Sequence, residues 1–264
     1  MMNVMIGRYV PGNSVIHRMD PRAKLLLMFI YVTIVFLANN SITYAILTIF
    51  ALVLLLLLQV PLSFVIKGLR PILWLVLFTF LLHVFMTKEG AVLYQMGELA
   101  IYEEGVRKGI FISLRFLLFI VMTTWLTIST TPVEVTDAVE SLFGPLKRVR
   151  VPVHELALMM SISLRFIPTL MEETEKIMKA QAARGVDFYG GSFGERIKAM
   201  TALLVPLFIH SFKRAEELAI AMEARGYRGG EGRTKYRLLT WGWADTCLLA
   251  SSVIVTILLL LLRS

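Results

Sequence analysis

The chain has 264 residues, of which 57% are hydrophobic and 17% charged, with a mean hydropathy of +0.72 and a formal net charge of +8. A soluble domain of this size covers itself with polar residues; this chain has too few, which excludes an ordinary water-soluble globule and leaves an integral membrane protein. The positive charge does not mark a nucleic-acid binder, because on a membrane protein the distribution of Lys and Arg between segments carries more information than their sum.

The first twenty residues are polar and include Pro11, Gly12, Asn13 and Asp20. No apolar stretch there precedes a small-residue cleavage site, so the N-terminus is expected to be retained. Apolar runs follow at residues 25–38, 42–58, 72–86, 110–128 and 244–262, the fourth containing Arg115 and the last containing Asp245 near its start. A bilayer span takes about 17 to 25 residues. The first and third runs are short, and either their flanking turns reach the headgroups or they are re-entrant. An unpaired cation in hydrocarbon is costly, so Arg115 is expected to face protein or an interface. For Asp245 an interfacial position is the cheaper explanation. Tyr94, Met96, Leu99 and Ile101 allow a short amphipathic element between the third and fourth runs.

Charge sets the expected topology. Residues 1–24 carry four basic residues against Asp20, 4 − 1 = +3, and residues 59–71 add Lys67 and Arg70. Residues 87–108 carry three basic and four acidic residues, 3 − 4 = −1. By the positive-inside rule the N-terminus and the 59–71 connection are cytoplasmic and 87–108 faces out. Five alternating spans close consistently and leave residues 131–237 in the cytoplasm, with 16 basic and 13 acidic residues. The expected organisation is an all-α polytopic membrane protein with about five transmembrane helices: a membrane domain over 1–130, a cytoplasmic helical region over 131–237 and a last transmembrane helix over 238–264.

The cytoplasmic segment holds two long helical patterns, about 153–183 and 193–224. The first is nearly all apolar from Leu156 to Ile167 and charged after Pro168, which is expected to bend it. The second has an apolar middle from Leu203 to Ile209, its own Pro206, and a charged tail. Both end alike, on Ala183, Arg184 and Gly185 and, 41 residues later, on Ala224, Arg225 and Gly226; Glu175 and Glu216 each stand nine residues before the arginine. Glycine readily takes the left-handed conformation past a helix end, and an arginine just before it suits the helix dipole and is free to project. Either arginine alone could be a simple capping charge. The matched pair reads instead as a docking device, since a guanidinium can engage a carboxylate bidentately.

Chemistry of other kinds is missing. There is no Gly-x-x-x-x-Gly-Lys-Ser/Thr loop, so the chain does not read as the ATP-hydrolysing unit of a transporter, and the glycine clusters at 185–194 and 226–232 lack a nucleotide-binding context and read as linkers. His17, His83, His154 and His210 are scattered without metal-ligand spacing. Cys247 has no intrachain partner. No enzyme, cofactor or metal site is expected.

Tyr9, Pro11, Ser14, His17, Asp20, Pro21, Arg22 and Lys24, leading straight into an apolar run, together with the two Ala-Arg-Gly endings, resemble the transmembrane T subunit of energy-coupling factor transporters, the family that includes the cobalt and nickel uptake membrane subunit. The resemblance covers essentially the whole chain. It implies two cytoplasmic ATP-binding cassette subunits and one small membrane-embedded substrate-capture subunit as partners, in a prokaryotic cell membrane, importing vitamins or transition-metal ions. It further implies that Arg184 and Arg225 insert into the two ATPases, with Ala183, Gly185, Ala224 and Gly226 shaping the tips of what the family calls coupling helices. The apolar faces at Leu164, Ile167, Leu170 and Met171, and at Leu203, Leu204, Leu207 and Phe208, would hold the capture subunit. Two readings of other classes stay open: a non-transport scaffold using the same arginines, and a self-sufficient secondary transporter, which would show internal membrane repeats.

Overall fold

A computed structural model describes residues 9–96, 99–149, 151–229 and 238–262. The chain is all-α apart from one hairpin. In order it forms α1 (Val15–Arg18), α2 (Pro21–Leu37), α3 (Ser41–Leu58), α4 (Leu62–Met86), β1 (Val92–Met96), β2 (Leu99–Tyr102), α5 (Glu103–Ser129), α6 (Pro132–Phe143), a 3-10 turn at Gly144–Val149, α7 (Val153–Ala183), α8 (Phe193–Ala224) and α9 (Trp243–Leu261). It divides into two compact units, one of Met1–Ala138 with Leu238–Ser264 and one of Val139–Arg237. The division falls within α6, between Ala138 and Val139.

In the first unit α2, α3, α5 and α9 enclose one apolar core that holds Leu27, Tyr31 and Ile34, Leu47 and Leu54, Met122 and Trp125, and Leu248 and Leu259. Polar edges of the large aromatics are satisfied by backbone: Tyr31 Oη donates to the Leu47 carbonyl at 3.0 Å, and Trp125 Nε1 to that of Leu54 at 3.1 Å. The outer faces are apolar, as at Phe36, Leu56, Trp74 and Leu261. This inversion of the water-soluble pattern is what a bilayer requires. Among the described residues α3, α5, α7 and α9 are long and apolar enough to cross a membrane. The chain is a multi-pass membrane protein.

The two short runs resolve differently. Residues 25–38 form the end of a 17-residue helix that starts at Pro21 on the Asp20 cap. Residues 72–86 are the apolar part of a 25-residue helix whose opening turns include Lys67 and Arg70. α7 also has span-like length and composition. After Pro168, however, it carries Glu172, Glu173, Glu175, Lys176 and Lys179, which hydrocarbon does not accept unpaired.

α4 and α5 pack closely because α5 has no side chain where they meet. A Cβ at Gly105 would lie 3.1 Å from the carbonyl oxygens of His83 and Thr87, and one at Gly109 would lie 3.2 Å from the Phe80 ring. This is the small-residue spacing that lets membrane helices approach. The amphipathic element between them is an antiparallel hairpin, Tyr94 opposite Ile101 and Met96 opposite Leu99, with an irregularity between Val92 and Tyr94. Its apolar residues recur at every second position, the period of a strand.

Candidate functional site

The N-terminal residues form a buried polar clamp on the ends of three helices. Ser14 caps α1 and its Oγ meets His17 Nδ1 at 2.7 Å, while His17 Nε2 lies 3.0 Å from the Val10 carbonyl. Asp20 caps α2 and pairs with Arg22 at 2.7 Å. Arg22 also donates to the Leu239 carbonyl at 3.4 Å and lies over the Trp241 ring. Lys24, 1% exposed, donates to the Ser129 carbonyl at 2.9 Å at the end of α5. Asp245 is 2% exposed: it accepts from the Asp20 N–H at 2.8 Å and the Gly242 N–H at 2.7 Å, tying the starts of α2 and α9 together. Arg115 faces protein: it donates to Tyr44 Oη at 3.2 Å and to the Ala38 carbonyl at 3.3 Å, beyond the last turn of α2, and lies over Phe36.

The second unit is built on α7 and α8. Both run unbroken through Pro168 and Pro206. Their endings match bond for bond. Gly185 N–H donates to the Ala182 carbonyl and Val186 N–H to that of Gln181, each at 3.0 Å; Gly226 N–H donates to Glu223 at 2.9 Å and Tyr227 N–H to Met222 at 3.0 Å. This pair of bonds is the Schellman ending, with Arg184 and Arg225 as C-caps and the glycines at φ +88° and +74°. No atom lies within 4 Å of where a Cβ would stand on either glycine, so left-handed backbone alone calls for glycine there. Ala183, Arg184, Ala224 and Arg225 are exposed.

The helices pack antiparallel, which the sequence did not reveal. Gln181 Nε2 donates to the Ala202 carbonyl at 3.2 Å and Arg214 Nη2 to Glu173 Oε1 at 2.5 Å. Arg184 and Arg225 therefore stand at opposite ends of the pair. Leu158 lies beside Arg225, so about 25 residues of α7 separate the two tips, on the order of 37 Å at 1.5 Å per residue.

Of the apolar positions singled out, Ile167, Met171, Leu204 and Phe208 are exposed, whereas Leu164, Leu170, Leu203 and Leu207 are half-buried. Leu170 lines a groove of about 330 Å³ between the helices with Ile162, Phe166, Leu218 and Met222. The exposed stripes are longer than expected, taking in Leu156 and Met160 on α7 and Ile197, Met200 and Phe212 on α8. Their three- and four-residue spacing is that of one helix face.

The connection between the helices is tied by carboxylates. Asp187 accepts from the Tyr189 and Gly190 N–H groups, and Glu195 accepts from the Ser192 N–H in a capping box. These backbone donors favour the ionised forms, holding both groups below their ordinary range. Among the described residues no group of three or more His, Cys, Asp or Glu side chains could hold a metal ion.

The CbiQ family, described as cobalt transport protein, matches residues 12–236, which takes in the N-terminal part of the clamp from Ser14 to Lys24 and the two arginine tips. The chain belongs to this family. It is 61% identical over 264 residues to an energy-coupling factor transporter transmembrane protein EcfT of Bacillus subtilis, covering all of both chains. It is 58% identical over 264 residues to one of Listeria innocua, again over all of both, and 52% identical over 259 residues to one of Brevibacillus brevis, over 98% of each.

Proposed function

We propose that the chain is the transmembrane energy-coupling subunit of an ATP-driven importer of the energy-coupling factor type. In this reading it carries motion from two ABC ATPases to a small membrane-embedded substrate-binding subunit and takes up a vitamin or a transition-metal ion. Residues 1–130 and 238–264 are the membrane domain, and residues 131–237 are the cytoplasmic coupling region. Residues 230–237 of that region lie outside the described residues. The N-terminus is cytoplasmic, on the side where the basic residues collect.

The observation that carries this reading is the matched pair of Arg tips at opposite ends of one antiparallel helix pair. Two equivalent exposed guanidiniums, held far apart by stiff helices, suit two similar acceptors. Arg184 and Arg225 would each enter one ATPase, with Ala183 and Gly185, and Ala224 and Gly226, forming the collar of each tip. The exposed apolar stripes around Ile167, Met171, Leu204 and Phe208 would hold the substrate-binding subunit and lie against lipid. Closure of the ATPases on ATP would then change the angle between α7 and α8 and move what rests on them.

The test is affinity purification of the intact chain in mild detergent from its own host, with partners identified. Two ABC ATPases and a small membrane protein should copurify, and the small protein identifies the substrate class. Capture of other cytoplasmic proteins without any ATPase, under conditions that preserve membrane complexes, would replace this reading with the scaffold one.

A further inference from the structure

We infer that the Glu173–Arg214 ion pair is the pivot about which the two arginine tips move, an inference that rests on the reading of α7 and α8 as the force-transmitting pair. The two helices repeat with a shift of 41 residues: 184 + 41 = 225 and 185 + 41 = 226, with the same capping bonds at each end. The same shift carries Glu173 to position 214, and these two residues bond to each other at 2.5 Å. In an antiparallel pair whose halves are exchanged by a two-fold rotation, a residue meets its own equivalent only on the rotation axis. Glu173 and Arg214 therefore mark the centre of the crossing.

That position makes the arms equal. Arg184 is 11 residues beyond Glu173 and Arg225 is 11 beyond Arg214, about 16 Å of helix in each case. Like charges on these two residues would repel across the contact, and the chain has opposite ones. Glu175 and Glu216, two residues further along in each half, keep the repeat.

The contact is suited to turning and resists sliding. A rotation about an axis through the bonded atoms leaves their separation unchanged, whereas sliding by one helical turn, about 5.4 Å, breaks the bond. The pair is partly shielded, with side chains 35% and 20% exposed. Glu173 Oε2 is buried and has no hydrogen-bond partner among the described residues, so the carboxylate depends on Arg214. On the α7 N-terminal side of the contact, the apolar groove between Ile162, Phe166, Leu218 and Met222 leaves room for the helices to close.

The test compares Glu173→Gln, Arg214→Met and the reversed pair Glu173→Arg/Arg214→Glu in the complete transporter. Three quantities are read: the ATPases that copurify, ATP-dependent uptake, and the width of the distance distribution between spin labels at exposed positions 182 and 223 in a Cys247→Ser background. The single variants should keep their ATPases, lose about tenfold in uptake and broaden the label distribution; the reversed pair should restore both. Native uptake with an unchanged distribution in the single variants overturns the pivot. So does a reversed pair that folds or transports no better than the singles. If the native chain captures no ATPase, the functional reading fails, while the label distances in the chain alone still decide the pivot.

Discussion

Replacing Asp245 should loosen two helix starts at once. Its carboxylate accepts from the buried Asp20 N–H at 2.8 Å and from the Gly242 N–H at 2.7 Å. Alanine leaves the first donor unsatisfied in a buried site, costing about 1 to 3 kcal/mol, and removes a helix cap worth about 1 kcal/mol. The sum is about 2 to 4 kcal/mol. At about 2 to 4 °C per kcal/mol for a chain of this size, Asp245→Ala should melt about 5 to 15 °C below the native chain. Asparagine keeps one acceptor oxygen, so Asp245→Asn should fall between the two. The assay is thermal unfolding of the detergent-purified chain followed by size-exclusion fluorescence. Native melting of both variants would refute the reasoning, as would an asparagine variant no more stable than the alanine one.

Further outcomes are expected elsewhere in the chain. Lys24→Met leaves the buried Ser129 carbonyl without its donor, and should destabilise by about 1 to 3 kcal/mol in the same assay. Gly105→Val would press a side chain onto the His83 and Thr87 carbonyls, and should cost about 1 to 3 kcal/mol, read as loss of monodisperse protein. Gly185→Ala meets no neighbour and pays only for left-handed backbone, about 1 kcal/mol, seen as faster amide exchange at Val186 with global melting little changed. Asp187 and Glu195 have depressed folded-state pKa values, so the stability they add is full above the ordinary carboxylate range and is lost as pH falls through the folded values. Protection of the Tyr189, Gly190 and Ser192 amides, relative to their intrinsic exchange rates, should fall as pH drops below the ordinary carboxylate range. The double variant Asp187→Asn/Glu195→Gln should show fast exchange at all pH values.

The membrane class was legible because hydropathy is a property of runs, and runs survive without knowledge of packing. The Arg-Gly endings were legible for a similar reason: a Schellman ending is local, and its glycine requirement is written at one position. Pairings across the chain were not. The place of Asp245 in an apolar run says nothing of its partner, the Asp20 N–H, which is 225 residues away. The Glu173–Arg214 bond depends on the antiparallel register, which no local pattern specifies. Gly105 and Gly109 did carry a signal in their four-residue spacing, and that spacing would have located the α4–α5 contact. For 87–108, period-two alternation was the available clue that the element is a hairpin.

The central claim is that each arginine tip holds one ATPase. Native mass spectrometry of the affinity-purified complex counts ATPases per chain in the native protein, in Arg184→Ala, in Arg225→Ala and in the double variant. The account predicts two, one, one and none, with the chain remaining folded throughout. A double variant that keeps both ATPases would contradict it.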